Sequence, residues 1–290
     1  MSAEQVDQNA INPESSENPA ELPDPSKTLA EQINQNEVEM YKRTQEYMQE
    51  IEEEVRQTQA LVGKKDNIDL FVAEYDPEIS PKYHAKAKEL AQIYSHLRKI
   101  RGDGNCFYRA VLTAELERCV ENKDELERFT ALCKKWKDTL LQQLGFPELT
   151  TGDFCEAIEA LLEAIKDGTK NLDFLLDDLN NDSIANYYVA FTRLITSGFL
   201  RENAALYECF IEGGQTLDQF CREEVEPMWK DCDHLTIIGL VNAIDVPVRI
   251  EYVDQSQAPN GGWHHDFPED REPQLFFLYR PGHYDILYKK

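Results

Sequence analysis

The chain has 290 residues, 41% of them hydrophobic, which is enough to bury the core of a globular enzyme. Its 55 acidic residues against 30 Lys and Arg give a formal charge of −25, which disfavours nucleic acid and anionic membranes and favours basic partners. No apolar run approaches the roughly 18 to 20 residues of a membrane span, and the N-terminus lacks a signal-peptide pattern, so we expect a cytoplasmic or nuclear protein.

Two stretches precede the compact part of the chain. Residues 1–26 contain four prolines and six acidic residues but no Lys or Arg, a composition that predicts a disordered tail. From Leu29 to Val62 apolar residues recur near helical spacing, which predicts an amphipathic helix whose run Glu52–Glu54 faces solvent. We therefore assign residues 27–80 to an N-terminal helical arm and residues 81–290 to one domain.

The order of the patterns in that domain predicts its fold class. Apolar residues from Tyr83 to Leu97 indicate a second helix, and nearly every segment between Phe107 and Ala243 has helical period. After Asp245 the period changes to two, which predicts strands over residues 246–252, 274–279 and 283–288. We expect an α+β fold in which helical layers pack on a small, mixed C-terminal β-sheet.

Cys106 occupies a position suited to a nucleophile. Asn105 is a good N-cap, so Cys106 would lie in the first turn of a helix, where unpaired N–H groups and the helix dipole stabilise a thiolate. Gly104 removes side-chain bulk, so that a substrate backbone can approach and loop N–H groups can face a developing oxyanion. The alternative is that Cys106 only packs in the core, as we expect of the other six cysteines.

His283 is the best candidate for the base that a cysteine nucleophile needs. It follows the turn Pro281-Gly282 and opens the last predicted strand. Asp285 lies two residues on and projects from the same face, where a carboxylate can orient the imidazole and stabilise the imidazolium. The alternative is a turn histidine beside an ordinary surface aspartate. The cysteines form no CxxC pair, and Cys221, Cys232 and His234 lack a fourth ligand, so we expect neither disulfides nor a metal or other cofactor.

Five runs of sequence carry a resemblance to a known family. Asp103–Arg109 and Arg280–Tyr288 resemble the two catalytic blocks of the ovarian-tumour (OTU) cysteine proteases. Arg193–Gly198, Phe210–Gly214 and Glu224–Met228 resemble the otubains more narrowly. The resemblance implies a papain-like OTU catalytic domain that hydrolyses isopeptide bonds after the C-terminal glycine of ubiquitin. For otubains it further implies a preference for lysine-48-linked chains.

The resemblance also implies roles for individual residues. Cys106 would be the nucleophile, His283 the general base and acid, Asp285 its orienter, and the backbone from Asp103 to Cys106 the oxyanion hole. Gly102 stands where related otubains often carry proline, which predicts a looser loop.

The expected partners are ubiquitin, polyubiquitin chains and ubiquitin-conjugating enzymes. Candidate ubiquitin-binding residues are Leu206, Tyr207, Phe210, Ile211, Met48 and Ile51. Candidate contacts for a conjugating enzyme are Phe146, Phe154, Tyr187 and Tyr188. Packing explains the first group about as well, and the N-terminal helix could instead dock on its own domain. Two other functions stay open: a non-catalytic inhibitor that binds conjugating enzymes and blocks ubiquitin transfer, and a papain-like protease of ordinary peptides.

Overall fold

The computed structural model describes residues 29–211, 213–254 and 264–290, so the predicted tail over residues 1–26 lies outside the described residues. The described residues divide into two units, one that ends at Ile51 and one that runs from Glu52 to Lys290. The first holds most of α1 (Leu29–Thr58), whose side chains are exposed over residues 37–47. The predicted N-terminal helix is confirmed. It ends before Val62, because that residue begins the first strand.

A six-stranded mixed sheet forms one layer of the second unit, as the α+β prediction requires. Its strands are β1 (Val62–Asn67), β2 (Tyr94–Ile100), β3 (Val248–Tyr252), β4 (His264–Phe267), β5 (Leu275–Arg280) and β6 (His283–Lys289). They lie in the order β1-β2-β6-β5-β3-β4, and all described neighbours are antiparallel except β3 and β5. The period-two pattern correctly predicts β3, β5 and β6 and misses the other three.

Helices form the other layer and flank the sheet. They are α2 (Ile68–Ala73), α3 (Pro81–Ile93), α4 (Cys106–Glu121), α5 (Lys123–Asp138), α6 (Glu148–Lys166), α7 (Leu172–Leu179), α8 (Asp182–Glu202), α9 (Ala204–Tyr207), α10 (Leu217–Phe220) and α11 (His234–Ile244). Short π-helical turns at Thr139–Gln143 and Cys221–Val225 and a 3₁₀ turn at Glu208–Phe210 link some of them. No helix in these described ranges is long and apolar enough to cross a membrane.

The second predicted helix is wrong over its last third. The helix ends at Ile93, and residues 94–100 instead form β2 between β1 and β6. Pairing on both edges satisfies the backbone of this segment, which overrides a spacing of apolar residues that suits a helix equally well. Arg98 on β2 is buried and donates to Glu117 of α4 at 2.6 Å, so the strand also fixes the central helix.

The central helix, α4, is buried on nearly all sides, which is typical of a helix enclosed by a core rather than one on the surface. Phe107 in its first turn contacts Tyr284 of β6 and Phe277 of β5, with ring centroids 4.8 and 5.9 Å apart. Aromatic packing of this kind holds the start of α4 against the end of the sheet that carries the β5–β6 turn. Cys106 and His283 are thereby brought to the same end of the domain.

Candidate active site

Cys106 is the first residue of α4, as predicted, and its side chain is 4% exposed. Asn105 is at the N-cap position, as predicted, but it does not act as a side-chain cap. The side chain of Asn105 makes no capping hydrogen bond to the helix. Its Oδ1 instead accepts from Arg193 Nη2 at 2.8 Å and from the backbone N–H of Trp229 at 3.1 Å. Asn105 therefore links the loop before Cys106 to two other parts of the chain.

Gly104 is required for a reason that the sequence did not show. Its φ is +72°, in the left-handed region, and a Cβ there would lie 2.4 Å from the carbonyl oxygen of Trp229. The backbone that approaches Gly104 is therefore that of Trp229, which corrects the prediction that the space is left for substrate. The loop can hold Cys106 in its present place only with glycine at this position.

Arg193 of α8 makes several hydrogen bonds to this loop. It was not among the predicted site residues. Its side chain is fully buried, and besides Asn105 it donates to the carbonyl oxygens of Gly104 at 2.8 Å, Lys230 at 2.7 Å and Val225 at 3.0 Å. The guanidinium also lies 4.2 Å from the ring centroid of Tyr108. A signal was present in the sequence, because an arginine inside an otherwise apolar helical pattern must be paired if it is buried.

The side chain of Asp103 stabilises the loop, in addition to the oxyanion-hole role that the family resemblance implies for its backbone. Both oxygens accept from Arg109 at 2.8 Å, and Oδ1 also accepts from the backbone N–H of Asn105 at 3.1 Å. A bidentate ion pair of this geometry is among the stronger polar contacts in proteins. The loop is therefore fixed at Asp103, Gly104 and Asn105.

His283 and Asp285 are brought together on β6 as predicted. Nε2 of His283 lies 2.9 Å from Oδ1 of Asp285, which also accepts from the backbone N–H of Ile100 at 2.9 Å. The other ring nitrogen, Nδ1, faces the loop, since a Cβ built on Gly102 would lie 3.3 Å from it. His283 also interacts with Cys106. The three residues thus have the spatial arrangement expected of a nucleophile, a base and an orienting carboxylate.

The electrostatics of this pair favour a charged imidazole. Burial lowers the pKa of His283, but its hydrogen bond with Asp285 and its interaction with Cys106 outweigh that effect and raise the pKa to about 9. Burial likewise opposes ionisation of Asp285, yet the hydrogen bond and charge of His283, with the charge of Arg280, hold its pKa below the usual value. An imidazolium beside a cysteine stabilises the thiolate, which is the nucleophilic form.

Most of the remaining cysteines are inert packing residues. Burial raises the pKa of five thiols: Cys119, Cys133, Cys155, Cys221 and Cys232. Cys209 differs, because it is exposed. Any labelling experiment on Cys106 therefore has to account for Cys209.

The predicted partner-binding residues divide into exposed and packed groups. Leu206 and Phe210 are 64% and 68% exposed, whereas Tyr207 and Ile211 are half-buried against Leu200, Leu217 and Phe220. Ile51 is exposed, and the side chain of Met48 lies outside the described residues.

Among the predicted contacts for a conjugating enzyme, Tyr187 is exposed and stacks edge-on against Phe154, with ring centroids 5.3 Å apart. Phe146 is half-buried beside Arg201. Tyr188 is 4% exposed and packs in the core, which leaves its ring no surface for a protein partner.

Comparison with known proteins decides the family. The family model described as Peptidase C65 Otubain matches residues 53–289. This chain belongs to the otubain family of cysteine deubiquitinases. It is 46% identical over 247 residues to a ubiquitin thioesterase otubain-like protein of Caenorhabditis briggsae, covering 83% of this chain and 85% of the relative. It is 42% identical over 239 residues to human ubiquitin thioesterase OTUB1, covering 82% and 87%.

Solved otubain structures share the fold. An h/ceOTUB1 chain in complex with ubiquitin aldehyde and UBCH5B~Ub superposes with a TM-score of 0.82 at 43% identity, covering 87% of this chain and 99% of that chain. A ceOTUB1 chain with ubiquitin aldehyde and UBC13~Ub gives 0.80 at 46% identity, covering 84% and 98%. Membership of the otubain family is thus supported by sequence and by fold. The roles of Cys106, His283, Asp285 and Asp103 rest on the geometry described above and stay predictions.

Proposed function

We propose that this chain hydrolyses the isopeptide bond after the C-terminal glycine of ubiquitin, with a preference for lysine-48-linked chains. The observation that carries the proposal is the placement of Cys106 at the start of α4 beside the hydrogen-bonded pair His283 and Asp285. The relatives named ubiquitin thioesterases, and the otubain structures solved with ubiquitin aldehyde, support ubiquitin as the substrate. The linkage preference is carried over from the family alone.

Each of these residues has a step in the proposed reaction. The Cys106 thiolate attacks the carbonyl carbon of the terminal glycine of ubiquitin, and backbone N–H groups of the loop from Asp103 stabilise the oxyanion that forms. When the intermediate collapses, the C–N bond breaks and the His283 imidazolium gives its proton to the departing lysine amine. The neutral imidazole then takes a proton from water, whose oxygen attacks the thioester and releases ubiquitin and the thiolate. Asp285 stays ionised throughout and keeps Nε2 of His283 bonded.

Cleavage of di-ubiquitins of every linkage tests the proposal directly. We expect the lysine-48-linked dimer to be cut at least about tenfold faster than the others, and Cys106→Ala to cut none. If the Cys106→Ala variant cleaved chains at the wild-type rate, Cys106 would not be the nucleophile. Equal rates on all linkages would remove only the linkage preference.

A second function has independent support, because the similar solved chains are complexes that contain UBCH5B~Ub or UBC13~Ub. We propose that this chain also binds a ubiquitin-conjugating enzyme charged with ubiquitin and blocks transfer without using Cys106. The Cys106→Ala variant should then inhibit chain synthesis by a reconstituted conjugating enzyme as strongly as wild type. Inhibition that disappears with Cys106 would mean that cleavage alone accounts for the effect.

A further inference from the structure

The carboxylate of Asp285 has a third partner, Arg280, to which the triad assigns no role. Arg280 is the last residue of β5 and pairs in register with His283 across the turn. Its Nη2 donates to Oδ2 of Asp285 at 2.6 Å, whereas His283 and the backbone N–H of Ile100 both bond to Oδ1. Arg280 therefore holds the oxygen that His283 does not use.

Arg280 is itself held in place by residues at the end of α2. Its Nη1 lies 3.5 Å from Oε2 of Glu74, its guanidinium lies 5.8 Å from the ring centroid of Phe71, and it interacts with the neighbouring Tyr75. Glu74 is also paired with Lys99 of β2. Among the residues that the structure describes, the charged and titratable groups around the His283–Asp285 pair include Cys106, Arg280, Glu74, Tyr75 and Lys99.

We propose that Arg280 is a positioning residue of the reaction: it fixes Oδ2 of Asp285 so that Oδ1 faces His283, and its charge weakens the hold of Asp285 on the imidazolium proton. The first part follows from the hydrogen-bond pattern. With Ile100 N–H and Arg280 on different oxygens, a fully buried carboxylate has no freedom to rotate away from the imidazole.

The second part follows from the chemistry of proton donation. An unpaired buried carboxylate would bind the imidazolium so strongly that His283 would become a poor acid toward the departing amine, because efficient general acids have a pKa near the working pH. The pKa of His283 already lies at about 9. The positive charge of Arg280 keeps it from rising further, which favours release of the proton during turnover.

This inference rests on the proposed function, so its test includes a readout that needs no ubiquitin. In a Cys209→Ser background, the rate of Cys106 alkylation by iodoacetamide is measured against pH, and its upper transition reports loss of the His283 proton. In parallel, kcat and KM are measured with ubiquitin carrying a fluorogenic C-terminal amide. Four variants of the full chain are compared with wild type: Arg280→Gln, Arg280→Lys, Glu74→Gln and Arg249→Gln.

Arg280→Gln removes a positive charge and Glu74→Gln a negative one, so the two variants should shift the upper pH transition in opposite directions. Arg280→Gln should move the upper transition to higher pH by roughly 0.5 to 1 unit and lower kcat about tenfold, with KM changed by less than about twofold. Arg280→Lys keeps the charge but not the forked geometry, so the transition should stay in place while kcat falls by a few-fold. Glu74→Gln leaves Arg280 and Lys99 less compensated and should move the transition down, by about 0.2 unit or more.

Arg249→Gln is the matched control. Arg249 makes an equally close ion pair with Asp266, at 2.7 and 2.8 Å, on the neighbouring strands β3 and β4. The Arg249→Gln variant should have a lower Tm than wild type but the same upper pH transition. A transition that stays in place in both Arg280→Gln and Glu74→Gln would overturn the proposal, and so would an equal shift in Arg249→Gln. If Arg280→Gln does not fold, Glu74→Gln decides, because a transition that does not move there would mean that the charges around Arg280 do not act on His283. Normal alkylation profiles without ubiquitin hydrolysis would count against the proposed function only.

Discussion

Replacing Gly104 by Ala tests whether the loop before Cys106 must hold its present position. A Cβ at Gly104 would lie 2.4 Å from the carbonyl oxygen of Trp229, whereas ordinary van der Waals contact begins at 3.4 Å. The atoms of Trp229 that the Cβ would meet are all backbone, and the N–H of Trp229 donates to Asn105 at 3.1 Å, so neither segment can yield by a side-chain rotation. The two segments would have to separate by roughly 1 Å, which moves the residue next to the thiol.

Gly168 provides a matched control for the conformational part of this cost. It has the same φ of +72°, but nothing lies within 4 Å of a Cβ built there. Gly168→Ala should therefore cost only about 1 to 2 kcal/mol for placing an L side chain in the left-handed region. That corresponds to a fall in Tm of roughly 2 to 8 °C for a domain of this size. Gly104→Ala carries the same cost plus about 1 to 3 kcal/mol from the backbone clash.

Activity separates the two variants more sharply than stability. With ubiquitin bearing a fluorogenic C-terminal amide, Gly104→Ala should lower kcat/KM by about 100-fold, since a displacement of about 1 Å at reacting atoms has an effect of this order. Gly168→Ala should stay within about twofold of wild type. A folded Gly104→Ala protein with near wild-type kcat/KM would refute the conclusion that the contact with Trp229 sets the position of Cys106.

The triad, its ionisation and the N-terminal helix give three further expected outcomes. Asp285→Asn should lower kcat about 100-fold or more with the fold intact, and His283→Ala should be more damaging; unchanged turnover in Asp285→Asn would move the orienting role elsewhere. Because the pKa of His283 is raised to about 9, kcat/KM should fall above pH 9. The stability from its contact with Asp285 should be full below about pH 6.5 and lost as pH rises through 9, so melting curves of wild type and His283→Ala should converge at pH 10. Deleting residues 1–45 should weaken cleavage of chains while Cys106 still reacts with ubiquitin bearing a C-terminal electrophile. Loss of both activities with a lower Tm would show instead that the helix belongs to the core.

The sequence predicts the reacting residues of the site better than the contacts that hold them in position. Local signals mark Cys106, His283 and Asp285, because a helix start, a turn and a two-residue strand spacing each leave a pattern within a few residues. The contacts that hold them are not local. Trp229 meets Gly104 across 125 positions of sequence, and Arg193 reaches Asn105 across 88. No period or spacing encodes such contacts.

The sheet shows the same limit. Strands β3, β5 and β6 alternate clearly, but β1 is largely exposed and hydrophilic in sequence, and β2 follows directly from α3 without a turn. Both become strands because β6 offers an edge on which β2 pairs, and β2 in turn offers one to β1. Burial of Tyr188 is a further case, since its neighbour Tyr187 is exposed and the two differ only in which side of α8 they occupy.

Arg193 provides the last test, because its five hydrogen bonds converge on the loop and on the segment from Val225 to Lys230. Arg193→Lys keeps the charge, but a single ammonium group cannot reach acceptors that a planar fork spans. Buried carbonyl groups left without donors cost about 1 to 3 kcal/mol each, so we expect a loss of roughly 3 to 5 kcal/mol in stability and about 10- to 100-fold in kcat.

The control for that variant is Arg98→Lys. Arg98 is as deeply buried, and its bonding partners Tyr288, Gly63 and Glu117 lie on β6, β1 and α4 and not in the loop from Asp103 to Asn105. Arg98→Lys should lower Tm by a comparable amount. Its kcat should stay within about twofold of wild type when the rate is divided by the concentration of active enzyme, which titration with a ubiquitin electrophile gives. Should both variants lose kcat equally, the effect of Arg193 would be general destabilisation. A loss confined to Arg193→Lys would mean that this buried arginine controls catalysis through the position of the loop.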